Sequence, residues 1–243
     1  MNALLQLHHG LPREGPGSDA CTREALQRLG AHDVTRVLDL GCGPGRQTLV
    51  LAETLGVPVV AVDRHRAFLA QLTTSARARG LADRVWPLAA DFRALPLPGG
   101  CAKLIWSEGA FYVLGLAESL ALCRSLLAPG GWVAFTECTW LTHEPPDEVA
   151  RFWREAYPAM GTVVSNCARA RSLGFRVVDT FTLPTSAWWD EYYSPLESRI
   201  RQLRPHAGAA LTTVLDETER EIALFRRHAG TYGYVFYLLA DER

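Results

Sequence analysis

A glycine-rich turn between an apolar run and a helical pattern constrains the fold of this chain more than any other feature. The stretch Val37–Thr48 reads VLDLGCGPGRQT, and a buried strand is predicted to end at Leu40. Gly41 and Gly43 permit positive φ and close approach of a ligand to the backbone, and Gly45 keeps the start of the next helix uncrowded. Parallel α/β sheets bind ligands at such turns, beyond the carboxyl ends of their strands.

Strand-like and helix-like patterns alternate through the first half of the chain. Repeated strand–helix units with short connections predict a parallel sheet that is covered by helices on both faces. Glycine closes two of the helical patterns, as is common at helix C-termini. The predicted strands are Thr35–Leu40, Val57–Asp63, Val85–Asp91, Ala102–Trp106 and Gly131–Glu137; the predicted helices are Gly45–Gly56, Arg66–Gly80 and Leu116–Ala128, with a turn at Pro129–Gly131.

The second half departs from strict alternation. It contains helical patterns at Pro146–Tyr157 and Gly161–Leu173, a sixth strand at Phe175–Phe181 and a last strand at Thr231–Ala240, which is rich in tyrosine and aliphatic residues. Two further helical stretches, Pro195–Leu203 and Ala207–His228, lie between these strands. We therefore expect a single domain over residues 1–243, with a helical cap inserted at about 182–230.

Composition places the chain among ordinary globular proteins. Hydrophobic residues make up 48% and charged residues 21% of its 243 residues, and the formal net charge is −1. No global charge draws it toward nucleic acid or an anionic membrane. The N-terminal stretch has no signal-peptide pattern, and no run approaches the roughly 20 apolar residues that span a bilayer. A cytoplasmic location without a membrane partner is expected.

The cysteine and histidine patterns predict no metal site. The six cysteines form no C-x-x-C pair and no Cys/His metal spacing, so we expect reduced thiols that fill the core. His8 and His9 have no second cluster of ligands nearby and are expected to form a surface pair.

The glycine turn differs from a dinucleotide-binding turn. In the pattern G-x-G-x-x-G the third glycine would fall on Arg46, and the acid Asp39 precedes the glycines here. A carboxylate would repel a pyrophosphate, whereas it suits a cationic ligand that carries an ammonium and a sulfonium group. A tight turn without any ligand is the alternative.

Two more acids stand at predicted strand ends. Asp63 ends the second strand, where a carboxylate can accept both hydroxyls of a ribose. Asp91 ends the third strand and could accept from an adenine amino group, with the backbone N–H of Phe92 near the ring. A helix cap or turn former is the alternative for a strand-end aspartate.

At this point the sequence resembles a known family. The stretches VLDLGCGPG and LAPGGWVAFTE, with Asp63 and Asp91-Phe92 between them, resemble the motif series of class I methyltransferases that depend on S-adenosylmethionine (SAM). The chain is similar to small-molecule methyltransferases of the ubiquinone/menaquinone-biosynthesis type. A bacterial branch with R-x-G-P-G-S and W-S-E-G-A is closer still; here these are Arg13–Ser18 and Trp106–Ala110.

The resemblance implies a fold and a cofactor. The fold is an α/β, Rossmann-like, seven-stranded and mostly parallel sheet, with the last strand antiparallel and inserted between its neighbours. The cofactor is SAM, which leaves as S-adenosylhomocysteine (SAH). The residues implied to bind it are Asp39, Gly41, Gly43 and Gly45 for the methionine end, Asp63 for the ribose, and Asp91 with Phe92 for the adenine; Arg13 and Arg64 complete the candidate set.

Three residues are candidates for catalysis. Glu108 follows the fourth strand and would either hold the SAM ammonium or act as a base, with a helix-capping or solvated acid as the alternative. Tyr112 lies one helical turn beyond and would line the pocket or belong to the core. His143, after the fifth strand, is expected near the catalytic rim, where it could serve as a general base or be only a loop histidine.

Aromatic residues are the candidates for acceptor binding. Trp188, Tyr192 and Tyr193 belong to the dense cluster in SAWWDEYYSPLE. They would either wall an apolar, ring-shaped acceptor site or pack beneath the cap. Trp140 is expected beside His143 at the catalytic rim.

These observations favour an enzyme that transfers a methyl group from SAM to a small-molecule acceptor by in-line displacement. The alternatives are an RNA methyltransferase, a non-catalytic SAM-binding protein and a nicotinamide dehydrogenase. Arginine-rich stretches at Arg199–Arg204 and Arg226-Arg227 are expected to be solvated helix faces, so no nucleic-acid partner is predicted. The hydrophobic insertion could serve a homodimer as well as a pocket. The methylated atom (O, N or C) and the need for a base stay open.

Overall fold

The structure is a computed structural model that describes residues 3–243, so residues 1 and 2 of the predicted domain lie outside the described residues. Seven strands form one sheet in the order β3-β2-β1-β4-β5-β7-β6. Only β7 runs antiparallel to its neighbours, β5 and β6. This arrangement confirms the predicted Rossmann-like fold with its last strand inserted. The strands are β1 Val37–Leu40, β2 Val59–Asp63, β3 Val85–Ala89, β4 Ala102–Glu108, β5 Leu127–Trp140, β6 Phe175–Thr182 and β7 Tyr232–Asp241.

Helices surround the sheet and divide into three groups. Those of the strand–helix units are α3 Arg46–Leu55, α4 Arg66–Ala78, α5 Leu116–Leu126, α6 Asp147–Ala156 and α7 Val163–Ser172. Two precede the sheet: α1 Ala3–His8 and α2 Asp19–Leu29. Three lie between β6 and β7: α8 Thr185–Trp188, which continues through a π-helical turn at Trp189–Tyr193 into α9 Ser194–Leu203, and α10 Ala209–His228.

The register aligns the carboxyl ends of the central strands. Asp39 of β1 is paired with Ala61 of β2 on one side and Trp106 of β4 on the other. The order of the strands reverses between β1 and β4, which opens a crevice where the glycine turn leaves β1. All four residues of β1 are buried, because helices cover both faces of the sheet.

The predicted turn at Pro129–Gly131 is built inside β5. Ala102 pairs with Leu127 and Leu104 pairs with Trp132, so β5 bulges outward between these two pairs. Gly130 supplies the positive φ of 62° that the bulge needs. The strand therefore begins earlier than the sequence predicted, and it also continues to Trp140.

The helices between β6 and β7 share a core with the main body. Leu7 of α1, Trp188 of α8, Leu196 of α9 and Phe225 of α10 join one buried apolar cluster, which also takes in Tyr232 of β7. The cap and the N-terminal helix are thus packed against the sheet and against each other. Among residues 3–243, no helix combines the length and the apolar character that a membrane span requires.

Candidate active site

An open cleft, which we call the β1 cleft, lies where the glycine turn leaves β1. It holds about 1130 Å³ of space free of protein atoms, part of it open to solvent. Its walls come from the carboxyl ends of β1, β2 and β4 and from α1. Seven of the nine residues predicted to bind a cofactor line it: Arg13, Gly41, Gly43, Asp63, Arg64, Asp91 and Phe92.

The glycine turn fits tightly around the end of β2. The backbone N–H groups of Gly41 and Cys42 both donate to the carbonyl oxygen of Val62, at 2.9 Å. Gly41 has φ of 71°, and a Cβ there would lie 2.4 Å from the Cβ of Ala110. No side chain fits at this position, so the backbone itself forms the surface of the cleft.

Asp63 is held in place by the same turn. Its Oδ2 accepts from the backbone N–H of Gly43 at 2.9 Å, and its Oδ1 accepts from the backbone N–H of His65 at 2.7 Å. An ionised carboxylate has about four acceptor sites, so both oxygens keep capacity for a ligand in the cleft. Arg64, beside it, is exposed and lies at the rim, with its Nε 3.0 Å from Nε2 of His65.

Asp91 and Phe92 begin a short 3₁₀ turn at the far end of the cleft. Asp91 caps this turn by accepting from the backbone N–H of Arg93 at 2.9 Å, and it also pairs with the guanidinium of Arg93. These bonds lower the pKa of Asp91 to about 2, so the carboxylate is ionised. The ring of Phe92 is buried and approaches the glycine turn, 3.8 Å from where a Cβ of Gly41 would lie.

Asp39 does not line the cleft, so its predicted contact with a ligand is corrected. The side chain is completely buried behind the turn, where Oδ2 accepts from the hydroxyl of Thr48 at 2.5 Å. Burial raises the pKa of Asp39 to about 7. Because Thr48 lies on the first turn of α3, this bond fixes α3 against β1. Asp39 thereby stabilises the glycine turn without facing the cleft.

Gly45 does not line the cleft either. A Cβ at this position would lie 2.3 Å from Cδ1 of Leu72 on α4. The glycine lets α3 and α4 pack closely, which agrees with the uncrowded helix start predicted for it and not with a contact to a cofactor.

Arg13 and Glu108 line the cleft, but they form an ion pair with each other. The guanidinium of Arg13 donates to Glu108 at 2.9 Å, to Glu191 at 2.9 Å and to Asp19 at 3.2 Å. Glu108 also accepts from the hydroxyl of Thr22 at 2.7 Å and from Nε1 of Trp106 at 2.9 Å. Both residues therefore have a structural role at the site. Glu108 is poorly suited to act as a base, because three donors already bind its carboxylate.

A second cavity, which we call the inner chamber, adjoins the β1 cleft. It holds about 1030 Å³, part of it open to solvent. Trp188 and Tyr192 line it, whereas Tyr193 does not and is a core residue whose hydroxyl donates to Glu221 at 2.8 Å. Tyr112, on a 3₁₀ turn after β4, is exposed and lines both cavities. The residues common to both cavities are His8, Glu14, Gly15, Pro16, Gly109 and Tyr112.

Trp140 and His143 lie elsewhere, and their predicted place at the catalytic rim is wrong. Both line a third cavity, between the end of β5 and α6. The reason is the length of β5, which runs three residues past the predicted end at Glu137 and carries Trp140 beyond the sheet edge that faces the cleft. There the N–H of Trp140 donates to the carbonyl oxygen of Gly161 at 2.9 Å.

His8 is a site residue that the sequence analysis missed. It is 8% exposed, in contrast to the surface position expected for it, while His9 is exposed. Its Nδ1 lies 3.1 Å from Oε2 of Glu14, and both residues line both cavities. The available signal was the amphipathic pattern of ALLQLH, which places His8 on the buried side of α1 with Leu7.

Two carboxyls that line the inner chamber, one buried and one partly buried, were also missed. Burial raises the pKa of Glu137 to about 7, although a hydrogen bond with Tyr157 opposes the shift. Burial likewise raises the pKa of Glu221. Beside Glu137, the hydroxyl of Thr136 is buried and has no hydrogen-bond partner among residues 3–243. An acid inside the apolar strand WVAFTECTW was the signal for Glu137, since a charged residue is seldom buried without a purpose.

Comparisons with known proteins agree with this geometry. Residues 37–131 match the family model of a methyltransferase domain. A malonyl-acyl-carrier-protein O-methyltransferase from Enterobacter lignolyticus is 33% identical over 130 residues, 53% of this chain and 48% of that protein. The chain therefore spans about half the length of this relative. A trans-aconitate 2-methyltransferase from Paracidovorax citrulli is 30% identical over 207 residues, 79% of this chain and 75% of that protein.

A solved structure has the same fold over nearly the whole chain. The SAM-dependent methyltransferase from Geobacter sulfurreducens, in complex with SAH, superimposes with a TM-score of 0.83. The two are 23% identical, and the match covers 98% of this chain and 96% of the other.

Proposed function

Because this chain belongs to the family of SAM-dependent methyltransferases, we propose that it transfers the methyl group of SAM to a small-molecule acceptor by in-line displacement. The observation that carries the proposal is the wall common to the β1 cleft and the inner chamber. Six residues line both cavities, so that a cofactor in the first and an acceptor in the second would meet there.

The residues of the β1 cleft fit SAM. The turn at Gly41 and Gly43 leaves a cradle that a Cβ would fill, which suits a ligand lying directly against the backbone. Asp63 would accept from the ribose hydroxyls, and Asp91 with Phe92 would hold the adenine. When bound, SAM supplies a methyl group on a positively charged sulfur, with a neutral thioether as the leaving group.

The chain's own part in the reaction is mainly alignment and exclusion of water. Tyr112 and the strap Glu14-Gly15-Pro16 form the boundary across which donor and acceptor would face each other. Where the acceptor must lose a proton, the imidazole of His8 is the group placed to take it. Glu14, 3.1 Å from Nδ1, would orient the ring and stabilise the imidazolium. His8 therefore replaces His143 as the candidate base.

The surface charge supports a small acceptor over a nucleic acid. Arg204 pairs with Asp216 and Glu219, while Arg226 pairs with Glu197. These two arginines are neutralised by acids and therefore add little to a basic face that could hold a phosphate backbone. The six free cysteines also fit a reducing compartment, so our proposal includes the cytoplasm as the location.

Two relatives are named for the acceptors malonyl-acyl-carrier protein and trans-aconitate, both of which contain carboxylates. A carboxylate is therefore the alternative acceptor group to include when acceptors are screened.

Calorimetric titration with SAM and SAH tests the cofactor, with NADH as the control for the dehydrogenase alternative. We expect saturable binding of SAM and SAH, no binding of NADH, and a loss of about tenfold or more in affinity for Asp63→Asn, since one ribose contact to a charged acceptor contributes roughly 1.5–3 kcal/mol. Asp83→Asn is the matched control, because Asp83 is exposed and outside the cleft. Folded protein that binds neither SAM nor SAH would refute the proposal.

The base is tested by a pair of neighbouring histidines. His8→Gln is expected to lower kcat by about 100-fold or more with an acceptor that needs deprotonation. His9→Gln, one residue along and exposed, is expected to leave kcat unchanged. Equal rates for the two variants would rule out His8 as the base.

A further inference from the structure

We propose that the acceptor bound by the inner chamber is a small organic amine that enters as a cation, and that its nitrogen is the atom methylated. This inference rests on the proposed methyl transfer, and it names the substrate class that the chamber selects.

Acidic side chains dominate the charge of the chamber, and His8 is the basic group among its described lining residues. Of the sixteen described residues that line it, Glu14, Glu137 and Glu221 are acidic, and none is lysine or arginine. Glu137 is 4% exposed, and no described arginine or lysine pairs with Glu137 or Glu221. Buried carboxylates are strongly disfavoured without a cation nearby. A bound ammonium would supply that cation, whereas a carboxylate acceptor would add one more negative charge.

Aromatic rings make up much of the remaining wall. Trp188 is fixed by stacking on Phe225 at 4.1 Å between ring centroids, and Tyr234 meets it edge-on at 5.3 Å. The aromatic lining is completed by Tyr112, Trp153, Tyr157 and Tyr192. Aromatic faces attract cations, and Trp and Tyr with carboxylates form the usual recognition site for ammonium groups. The same rings provide apolar surface for the carbon frame of the amine.

Two buried acceptor atoms that lack hydrogen-bond partners belong to residues lining the chamber. The hydroxyl of Thr136 belongs to a residue that is 1% exposed, and Oε1 of Glu14 is buried although Oε2 pairs with His8. Neither has a hydrogen-bond partner in the described part of the chain. Both atoms can accept hydrogen bonds, so they are matched to N–H donors of a ligand. An unsatisfied buried acceptor is costly, which makes a ligand the natural partner.

Methylation of an ammonium requires that the nitrogen first lose a proton, and His8 is the group placed to accept it. The ammonium proton passes to the imidazole of His8, and the freed nitrogen lone pair forms the new N–C bond. The C–S bond breaks with its electron pair left on sulfur. Two positive charges enter, on the ammonium and the sulfonium, and two remain, on the methylated amine and on His8. His8 then returns its proton to solvent.

The test uses SAH-loaded protein and three probes of nearly the same shape. Choline is the cation, 3,3-dimethylbutan-1-ol is its neutral carbon isostere, and 3,3-dimethylbutanoate is the anion. At a pH of about 8, above the pKa of about 7 of Glu137, choline is expected to bind about tenfold tighter than the neutral isostere, and the anion is expected not to bind.

Substitutions in the inner chamber test whether its carboxylates cause the preference for a cation. Glu137→Gln and Glu221→Gln are each expected to weaken choline binding about tenfold, while SAH affinity is kept because neither residue lines the β1 cleft. Glu217→Gln is the matched control, since Glu217 is exposed one turn earlier on α10. In a turnover arm, SAH is expected to form with phenethylamine and not with phenylacetate.

The outcomes separate the two proposals. Failure of the wild type to bind SAH would refute the methyltransferase function. Normal SAH binding with an equal or stronger response to the neutral or anionic probe, with no choline binding at millimolar concentration, or with turnover of phenylacetate alone would overturn the amine inference and leave the methyltransferase function standing.

Discussion

The guanidinium of Arg13 lies 2.9 Å from the carboxylate of Glu108, although 95 positions separate the two residues in the sequence. Asp19 and Glu191 bind the same guanidinium. One side chain therefore joins the segment before α2, the end of β4 and the π-helical turn of the cap. The position of the wall between the β1 cleft and the inner chamber depends on this buried network.

Arg13→Gln should destabilise the fold far more than any single acid variant of the network. The substitution leaves three carboxylates without their shared cation, which costs about 3–5 kcal/mol of unfolding free energy. Glu108→Gln should cost less, because Arg13 keeps Asp19 and Glu191 as partners. Urea unfolding of the two variants measures the difference; similar midpoints for both would contradict the central role of Arg13.

Gly45→Ala should destabilise the protein by roughly 2 to 5 kcal/mol. The residue has φ of 83°, and the new Cβ would overlap Leu72 at 2.3 Å, so backbone strain and overpacking add. Gly56→Ala is the matched control: its φ of 68° carries the strain, about 1–2 kcal/mol, but nothing lies within 4 Å of the new atom. Denaturant unfolding should rank the two variants in this order, and the reverse ranking would refute the packing argument.

The free energy of unfolding of the Glu137→Gln variant, relative to that of the wild type, should increase as the pH rises. Burial raises the pKa of Glu137 from 4.5 to about 7, so the folded protein binds this proton more tightly than the unfolded chain does. The carboxyl therefore costs stability progressively from pH about 4.5 to about 7, and the cost is constant above that window.

The glutamine variant removes the cost of ionisation. Relative to the wild type, its free energy of unfolding should rise by on the order of 3 kcal/mol across the window. Other groups titrate there too, Asp39 among them with a pKa of about 7, so the difference between variant and wild type is the quantity to follow. A difference that is flat with pH would show that Glu137 ionises normally.

Thiol labelling should distinguish Cys101 from the other cysteines. Cys101 is partly exposed, whereas the other five are buried, and burial raises the pKa of the thiols of Cys42, Cys123 and Cys138 strongly. A thiol reagent added to native protein should therefore react first at Cys101, with the remainder reacting only after denaturation. Peptide mapping identifies the labelled site, and rapid labelling of Cys138 would contradict the structure.

The sequence predicted those features that have a local signal. The strand–turn–helix at Gly41–Gly45 and the strand-end acids Asp63 and Asp91 follow from turn chemistry and from the alignment of parallel strands. Tertiary contacts determined the rest. Asp39 is turned inward by Thr48, which only the packing of α3 on β1 brings close. His8 reaches the site because α1 folds back against the cap; the pattern of ALLQLH indicates the buried side of α1 but not the element against which it packs.

The insertion of β7 between β5 and β6 has a consequence for biosynthesis. β5 pairs with β7 from Trp132↔Ala240 to Trp140↔Tyr232, and β6 reaches the sheet only through β7. On the ribosome, β5 and β6 are therefore complete while their edges still lack the strand that joins them. A nascent chain that ends before Tyr232 presents two open, largely apolar strand edges, which are templates for aggregation. The sheet closes only after β7 has left the exit tunnel, so the interval before β7 emerges is the stage at which a chaperone would be needed.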